Sequence, residues 1–152
     1  MTTFRNRSLV GSSFALAAGF FFATDLAEAK RIEAKDYVLD TSASECKIGA
    51  ECTAIVKLEA LGAYHINKEF PYKLEMEDAE GVEFTGKGKR VFTRANGDFT
   101  SAQEKAGEMK ISFKASKAGD LVLKGKYKMS VCSDKDCQLQ TQIVTFEVKT
   151  KR

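Results

Sequence analysis

The sequence lacks the residues and spacings that mark several common enzyme and nucleic-acid-binding classes. It has one histidine, His65, and no Ser-His-Asp arrangement, phosphate-binding glycine loop or paired-carboxylate signature can be recognised in it. Its 24 basic and 21 acidic residues are mixed along the chain, so the net charge of +3 indicates solubility and not a nucleic-acid surface. Zinc is not expected, because the cysteine spacings differ from those of common zinc clusters. We expect neither a metal nor a cofactor.

Beyond residue 29 the sequence has no apolar run long enough to span a membrane, for which about 20 residues are needed. The first 29 residues are different. Two arginines precede a mostly apolar stretch over residues 9–23, and residues 27–29 (Ala-Glu-Ala) resemble a cleavage site. This arrangement predicts a secretory signal peptide over residues 1–29 and a single domain over residues 30–152. The predicted location is periplasmic or secreted, with no membrane span in the mature chain.

The sequence also lacks helical periodicity, and apolar and polar residues alternate with a period of two instead. The alternating segments are residues 52–60, 72–77, 109–114, 121–131 and 144–149, with an early strand expected around residues 37–39. Short alternating strands without helices predict an all-β fold, an antiparallel sandwich. Residues 85–107 fit this pattern poorly, and they form either a functional loop or a weakly patterned pair of strands.

Four cysteines in a small exported domain indicate disulfides. Three pairings are open, and the local ones, Cys46 with Cys52 and Cys132 with Cys137, are the simplest. The four residues between Cys132 and Cys137 suit a hairpin that places these two cysteines opposite each other. Alternation predicts that Cys52 points inward and that Cys132 lies on the polar side of its strand. These residues leave open whether the later pair is structural or redox-active.

Two segments taken together resemble a known family. One is residues 62–72, which include the sequence GAYHIN; the other is residues 127–137, followed by TFEV at residues 145–148. On these segments the chain resembles the amino-terminal periplasmic domain of DsbD-type thiol–disulfide interchange proteins, and especially stand-alone domains of this kind. The resemblance implies an immunoglobulin-like sandwich in which Cys132 and Cys137 cycle between dithiol and disulfide. It implies a thioredoxin-like redox protein or another exported protein as the partner.

The resemblance further implies a cap that covers the late cysteines until a partner docks, and by position the segment from Phe92 to Phe99 is expected to provide it. The residues expected in the cap or in partner contact are Phe92, Phe99, Tyr64 and His65. In the exchange reaction, Cys132 is expected to attack and Cys137 to resolve the mixed disulfide.

Two functions therefore compete. The first is an exported thiol–disulfide exchange domain, part of an oxidoreductase system, that uses the Cys132/Cys137 pair. The alternative is a redox-inert immunoglobulin-like module for binding or envelope assembly, with structural disulfides. Cys46 and Cys52 are expected to form a structural disulfide, with a second redox pair as the alternative. The lysine-rich face over residues 124–128 is either a solvated face or a docking surface for an acidic partner.

Overall fold

The structure, a computed structural model, describes residues 30–152, and this part of the chain forms twelve β-strands and no helix. The predicted signal peptide, residues 1–29, lies outside the described residues and stays a prediction. The strands are β1 (Lys30–Glu33), β2 (Tyr37–Ala43), β3 (Cys46–Lys47), β4 (Glu51–Ala60), β5 (His65–Ile66), β6 (Lys73–Met76), β7 (Val82–Phe84), β8 (Val91–Thr93), β9 (Phe99–Thr100), β10 (Ala106–Ala115), β11 (Gly119–Cys132) and β12 (Cys137–Lys151).

The strands form two six-stranded sheets that pack face to face. The first sheet has the order β1-β2-β4-β10-β7, with β9 also on β10, and the second has the order β3-β12-β11-β6-β8, with β5 also on β11. The pairings are antiparallel except that of β3 with β12, which is parallel. Neighbours such as β4 and β10 are distant in sequence, so the chain crosses between the sheets. This architecture is an antiparallel, immunoglobulin-like β-sandwich, as predicted.

The core lies between the sheets and is built from the apolar positions of the alternating strands. On β12, for example, Val144, Phe146 and Val148 are at most 1% exposed, whereas the intervening Glu147 is exposed. The strands predicted from alternation are confirmed, and the fully buried large side chains come from both sheets. The largest of them are Tyr72, Tyr127, Phe92, Phe113, Phe146, Leu39, Leu58, Ile66, Leu74, Met76, Met109 and Ile111.

Residues 85–107, whose sequence left two interpretations open, contain the short strands β8 and β9 and several turns. Their glycines explain the weak pattern, because a glycine replaces an apolar residue where an aromatic ring packs closely against the backbone. A Cβ atom at Gly86 would collide with the ring of Phe92, and one at Gly107 would collide with the ring of Phe99. This segment is therefore a weakly patterned part of the sandwich and not a long structureless loop.

Candidate functional site

The hairpin of β11 and β12 brings the late cysteines together. Fourteen residue pairs run in unbroken register, from Gly119 opposite Thr150 to Cys132 opposite Cys137. The four-residue loop is closed by a hydrogen bond in which the Ser133 amide donates to the Asp136 carbonyl over 2.7 Å. The two cysteines form a disulfide with their Cα atoms 4.0 Å apart. The structure thus has the Cys132–Cys137 pairing, which the four-residue loop is expected to favour.

The two cysteines of this hairpin differ in exposure, but not in the predicted direction. Cys132 is only 7% exposed, whereas Cys137 is exposed. Cys132 has the predicted phase with Lys126 and Lys128, because the register is unbroken, but the expectation that it is therefore reachable is wrong, since residues 129–132 are all buried. Residues of β5 pair with the end of β11, with His65 opposite Cys132, and the Asn67 side chain donates to Ser130 Oγ over 3.3 Å. Residues 65–67, which are distant in sequence, therefore lie against the end of β11. Earlier on this strand, the same face is exposed and carries the lysines.

A cluster of polar side chains fixes the loop between the cysteines. The Asp136 carboxylate accepts hydrogen bonds from the hydroxyl of Ser133 (2.7 Å), the hydroxyl of Tyr64 (3.0 Å) and the amide of Gln138 (2.6 Å). These bonds lower the pKa of Asp136, since each stabilises the ionised form. Partial desolvation and the bond to Asp136 raise the pKa of Tyr64. Sequence analysis missed this cluster; its local signal is the Ser-x-x-Asp spacing within the loop.

The other residues predicted for the cap divide into two groups. Phe92 is fully buried and Phe99 is 7% exposed; both belong to the core, where Phe99 stacks on Tyr72 with ring centroids 3.9 Å apart. The residues that lie against the cysteine hairpin are Tyr64, through Asp136, and His65, through its pairing with Cys132. The expected cap over Phe92 to Phe99 is thus corrected: their apolar rings fill the space between the sheets.

The segment that covers Cys132 is itself anchored to the core. The Tyr72 hydroxyl donates a buried hydrogen bond of 2.5 Å to the carbonyl of Ser130, and the amide of Asn67 donates to the same oxygen over 3.3 Å. Burial raises the pKa of Tyr72 to about 12, so this hydroxyl remains a donor throughout the neutral range. These bonds hold the Tyr64–Asn67 stretch and the end of β11 in one arrangement.

The second disulfide joins β3 to β4 at the other end of β12. Cys46 is 0% exposed and Cys52 is 3% exposed, and their Cα atoms are 5.4 Å apart. The prediction that Cys52 points inward is confirmed. The turn between them contains Gly49 with a φ of 76°, a left-handed conformation that glycine adopts without steric strain. Cys46 pairs with Thr150 of β12, so this disulfide lies within the packed sandwich.

The outer face of the β11–β12 hairpin combines exposed apolar and basic side chains. Val122 is 54%, Leu139 67% and Ile143 53% exposed, and these are three of the four exposed large hydrophobic residues in the described chain. Residues directly opposite in a ladder share a face, so Leu139 and Ile143 lie beside the side chains opposite them on β11. The lysines of this face are Lys124, Lys126 and Lys128. Apolar and basic contact area are thus available on one surface.

Residues 30–152 contain neither a metal-binding cluster nor a membrane-spanning helix. No group of three or more His, Cys, Asp or Glu side chains is arranged there to hold a metal ion. No helix in this part of the chain is long and apolar enough to cross a membrane.

Comparison with known proteins gives fold-level similarity only. No protein-family model matches the chain, and no curated protein sequence is significantly similar to it. The chain is similar in structure to the GAE domain of yeast GGA1, at 8% identity and a TM-score of 0.43, over 78% of this chain and 97% of that one.

Two further solved structures are similar at the same level. AggA, the major subunit of aggregative adherence fimbriae type I from Escherichia coli, has 9% identity and a TM-score of 0.35, over 78% of this chain and 98% of that one. The ASH/PapD-like domain of human CEP192 has 10% identity and a TM-score of 0.35, over 93% of this chain and 98% of that one.

Proposed function

We propose that this chain is an exported immunoglobulin-like module that binds another exported protein through the outer face of the β11–β12 hairpin. The observation that carries this proposal is that Val122, Leu139 and Ile143, each more than half exposed, are spread along the same face of the hairpin. Single exposed apolar residues are ordinary, but several on one face, rimmed by polar side chains, are typical of an interaction surface.

The same proposal makes both disulfides structural. Cys46 and Cys52 are buried in the core, where a reductant cannot reach them without local unfolding. Cys132 and Cys137 are held opposite each other by the fourteen-pair ladder and by the loop bonds to Asp136. Because the fold keeps these two sulfurs adjacent even after reduction, it favours re-formation of the bond and so a low reduction potential.

Export is part of the proposal for a chemical reason. Disulfides persist in the oxidising compartments outside the cytoplasm, and this chain has all four cysteines paired. The predicted signal peptide over residues 1–29 would direct it there.

Binding and exchange can be separated with a photo-crosslinking side chain placed at position 139 of the exported protein. We expect cross-links to a partner from Leu139, and none from a matched position on the opposite sheet, the exposed Lys57 of β4. The cross-links should persist when Cys132 and Cys137 are both replaced by Ala, because the proposed contacts are made by the exposed apolar and lysine side chains and not by the disulfide. Loss of the cross-links in this double variant would contradict the proposal and favour a thiol carrier.

A second function, thiol–disulfide exchange at Cys132–Cys137, is favoured by the exposure of Cys137 and by the resemblance to DsbD-type domains. Exchange needs one reachable sulfur, and here this is Cys137. The roles expected from the sequence are then reversed. In the dithiol form, the Cys137 thiolate attacks the partner's disulfide, forming a mixed disulfide and releasing one partner thiolate. The Cys132 thiolate then attacks Cys137 Sγ, releasing the second partner thiolate and leaving the Cys132–Cys137 disulfide.

Single cysteine variants test this second function. If exchange occurs, Cys132→Ser should trap a thioredoxin-like protein as a mixed disulfide through Cys137, and Cys137→Ser should trap it poorly because Cys132 is buried. Trapping by neither variant would remove the exchange function. Better trapping by Cys137→Ser would show that the exposure argument assigns the two roles incorrectly.

A further inference from the structure

β12 is an edge strand over its first half. On the side away from β11, its recorded pairing among residues 30–152 is with β3, at Thr150 and Lys151. No strand of this part of the chain pairs with that side between Cys137 and Ile143. Exposed edges are templates for a further strand, and proteins usually protect them with charges, proline, bulges or a covering segment.

The expected protection is missing from this edge. Residues 137–146 contain no charged residue and no proline, although 30% of the whole chain is charged. The register with β11 is unbroken, so β12 has no bulge here. Leu139 and Ile143 expose most of their apolar surface on one face of this segment. A long, uncharged and regular edge is either an aggregation hazard or a binding site.

Hydrogen bonds further along the strand show which backbone groups face the open edge. Carbonyl oxygens of Thr145 and Lys151 accept bonds from outside the hairpin, from Thr41 Oγ1 over 2.8 Å and from the Ile48 amide over 2.9 Å. The backbone groups of alternate residues in a strand point to the same side. The N–H and C=O groups of the odd-numbered residues, including Thr141, are therefore directed away from β11.

The charges next to this edge indicate what kind of strand would bind. Cross-strand register places Thr141 in line with Lys128 and then with Lys73. Lys73 is paired with Glu75 over 3.1 Å, and Lys128 is the cation of this row nearest to Thr141. In the next row, Ile143 lies in line with Lys126, which faces Glu75. An added strand would therefore gain most from an acidic side chain opposite the small Thr141, within reach of the Lys128 side chain.

We propose that β12 binds an extended segment of another exported protein by strand addition, with the pattern apolar–x–acidic–x–apolar on the outer face. The two apolar residues lie against Leu139 and Ile143, and the acidic residue lies opposite Thr141. A second copy of this chain fits less well, because pairing centred on Thr141 would add another Lys128 to a row that is already cationic. This inference rests on the proposed binding function and specifies how the partner is held.

The proposal is tested with a fluorescent heptapeptide, TVTETVT, titrated into the purified protein. We expect saturable binding and slower hydrogen exchange of the Leu139, Thr141 and Ile143 amides. A peptide with N-methylated backbone amides should not bind, because it cannot form the ladder. Thr141→Pro should remove binding while Thr141→Ser retains it, since the amide at this position is directed away from β11.

Charge specificity has a matched pair of variants. Replacing Glu by Gln in the peptide should weaken binding about threefold. Lys128→Ala should abolish this Glu-over-Gln preference, whereas Lys126→Ala should preserve it because Lys126 lies in the row of Ile143 and not in that of Thr141.

Two results would overturn the proposal: unchanged exchange of these three amides at saturating peptide, or their concentration-dependent protection without peptide, which would make a second copy the occupant. The cross-linking result distinguishes failure of strand addition from failure of the proposed binding face. Cross-links from position 139 that persist in Thr141→Pro would retain the binding face and reject strand addition. Absence of any cross-link from position 139 would reject the binding face itself.

Discussion

The two disulfides of this molecule close rings of similar size yet lie in different surroundings. Cys46–Cys52 spans six positions and is buried on both sides, with Cys46 paired to the last part of β12. Cys132–Cys137 spans five positions and joins a buried residue to an exposed one, at the first residue of β12. Roughly 40 Å of strand separates the two ends.

This difference separates the stability that comes from closing a small ring from the effects of where the disulfide lies in the fold. In the loop-entropy model, each small ring stabilises the fold by about 2 kcal/mol, regardless of location. Burial adds packing energy to the first disulfide, and exposure makes the second accessible to a reagent or partner. One end of β12 is therefore fixed inside the sandwich, while the other end carries the surface on which the proposed function depends.

The largest expected difference is in stability. Replacing Cys46 and Cys52 together by Ala should lower the free energy of unfolding by about 3 kcal/mol, from ring closure and lost core packing. Replacing Cys132 and Cys137 together by Ala should lower it by about 2 kcal/mol, mainly from ring closure. Urea unfolding of both variants and the wild type measures this. An equal or reversed order would show that burial does not distinguish the two disulfides.

The two disulfides should also be reduced at different rates in the native protein. A phosphine reductant needs to reach only one sulfur, so Cys132–Cys137 should react at least about tenfold faster than Cys46–Cys52, which must await local unfolding. Alkylation at timed intervals followed by peptide mass spectrometry measures both rates. Loss of both disulfides at one rate would mean that the hairpin end opens only with the whole fold.

Two buried tyrosines test how firmly the hairpin end is anchored. Tyr72→Phe should lower the free energy of unfolding by about 1 kcal/mol, because it removes the bond to the Ser130 carbonyl. Tyr127→Phe should raise it by about 1 kcal/mol, because the Tyr127 hydroxyl is buried without a partner among the described residues. The matched pair has the same chemical change, so thermal or urea unfolding compares the two environments directly. The same sign for both variants would contradict the hydrogen-bond assignment.

The smallest expected effect is that of pH on the exposed disulfide. Hydrogen bonds from Ser133, Tyr64 and Gln138 lower the pKa of Asp136 in the fold, so their contribution is present above the unfolded value of about 4 and is lost as pH falls through the lowered value. Phosphine reduction of Cys132–Cys137 should therefore accelerate at acidic pH relative to Cys46–Cys52. Asp136→Asn should remove this relative acceleration; its persistence in that variant would assign the effect to another group.

The sequence predicted most of the fold because period-two alternation reports directly on burial. Val144, Phe146 and Val148 are buried as their spacing requires, and Cys52 points inward with its strand. Alternation failed at Cys132, because the covering residues come from β5, whose position depends on long-range packing. The same limit applies to Phe92 and Phe99, since one sequence pattern describes both a cap and a core aromatic residue.

The polar cluster around Asp136 and the open edge of β12 could not be predicted from the sequence, for a different reason. The Ser-x-x-Asp spacing of the loop is visible in the chain, but the contact between Tyr64 and Asp136 joins residues 72 positions apart. The uncharged run over residues 137–146 is also visible, but it has meaning only once the sheet order makes β12 an edge. Such features are set by which strands become neighbours.

The reduction potential of Cys132–Cys137 tests the central claim, a binding module with structural disulfides, most directly. Equilibration of the native protein with dithiothreitol buffers, followed by alkylation and mass spectrometry, reads this pair separately from Cys46–Cys52. We expect a potential below about −300 mV, the range of structural disulfides in exported proteins, because the ladder holds the sulfurs together. A potential between about −120 and −230 mV, with rapid exchange with a thioredoxin-like protein, would contradict it and make the hairpin an electron carrier.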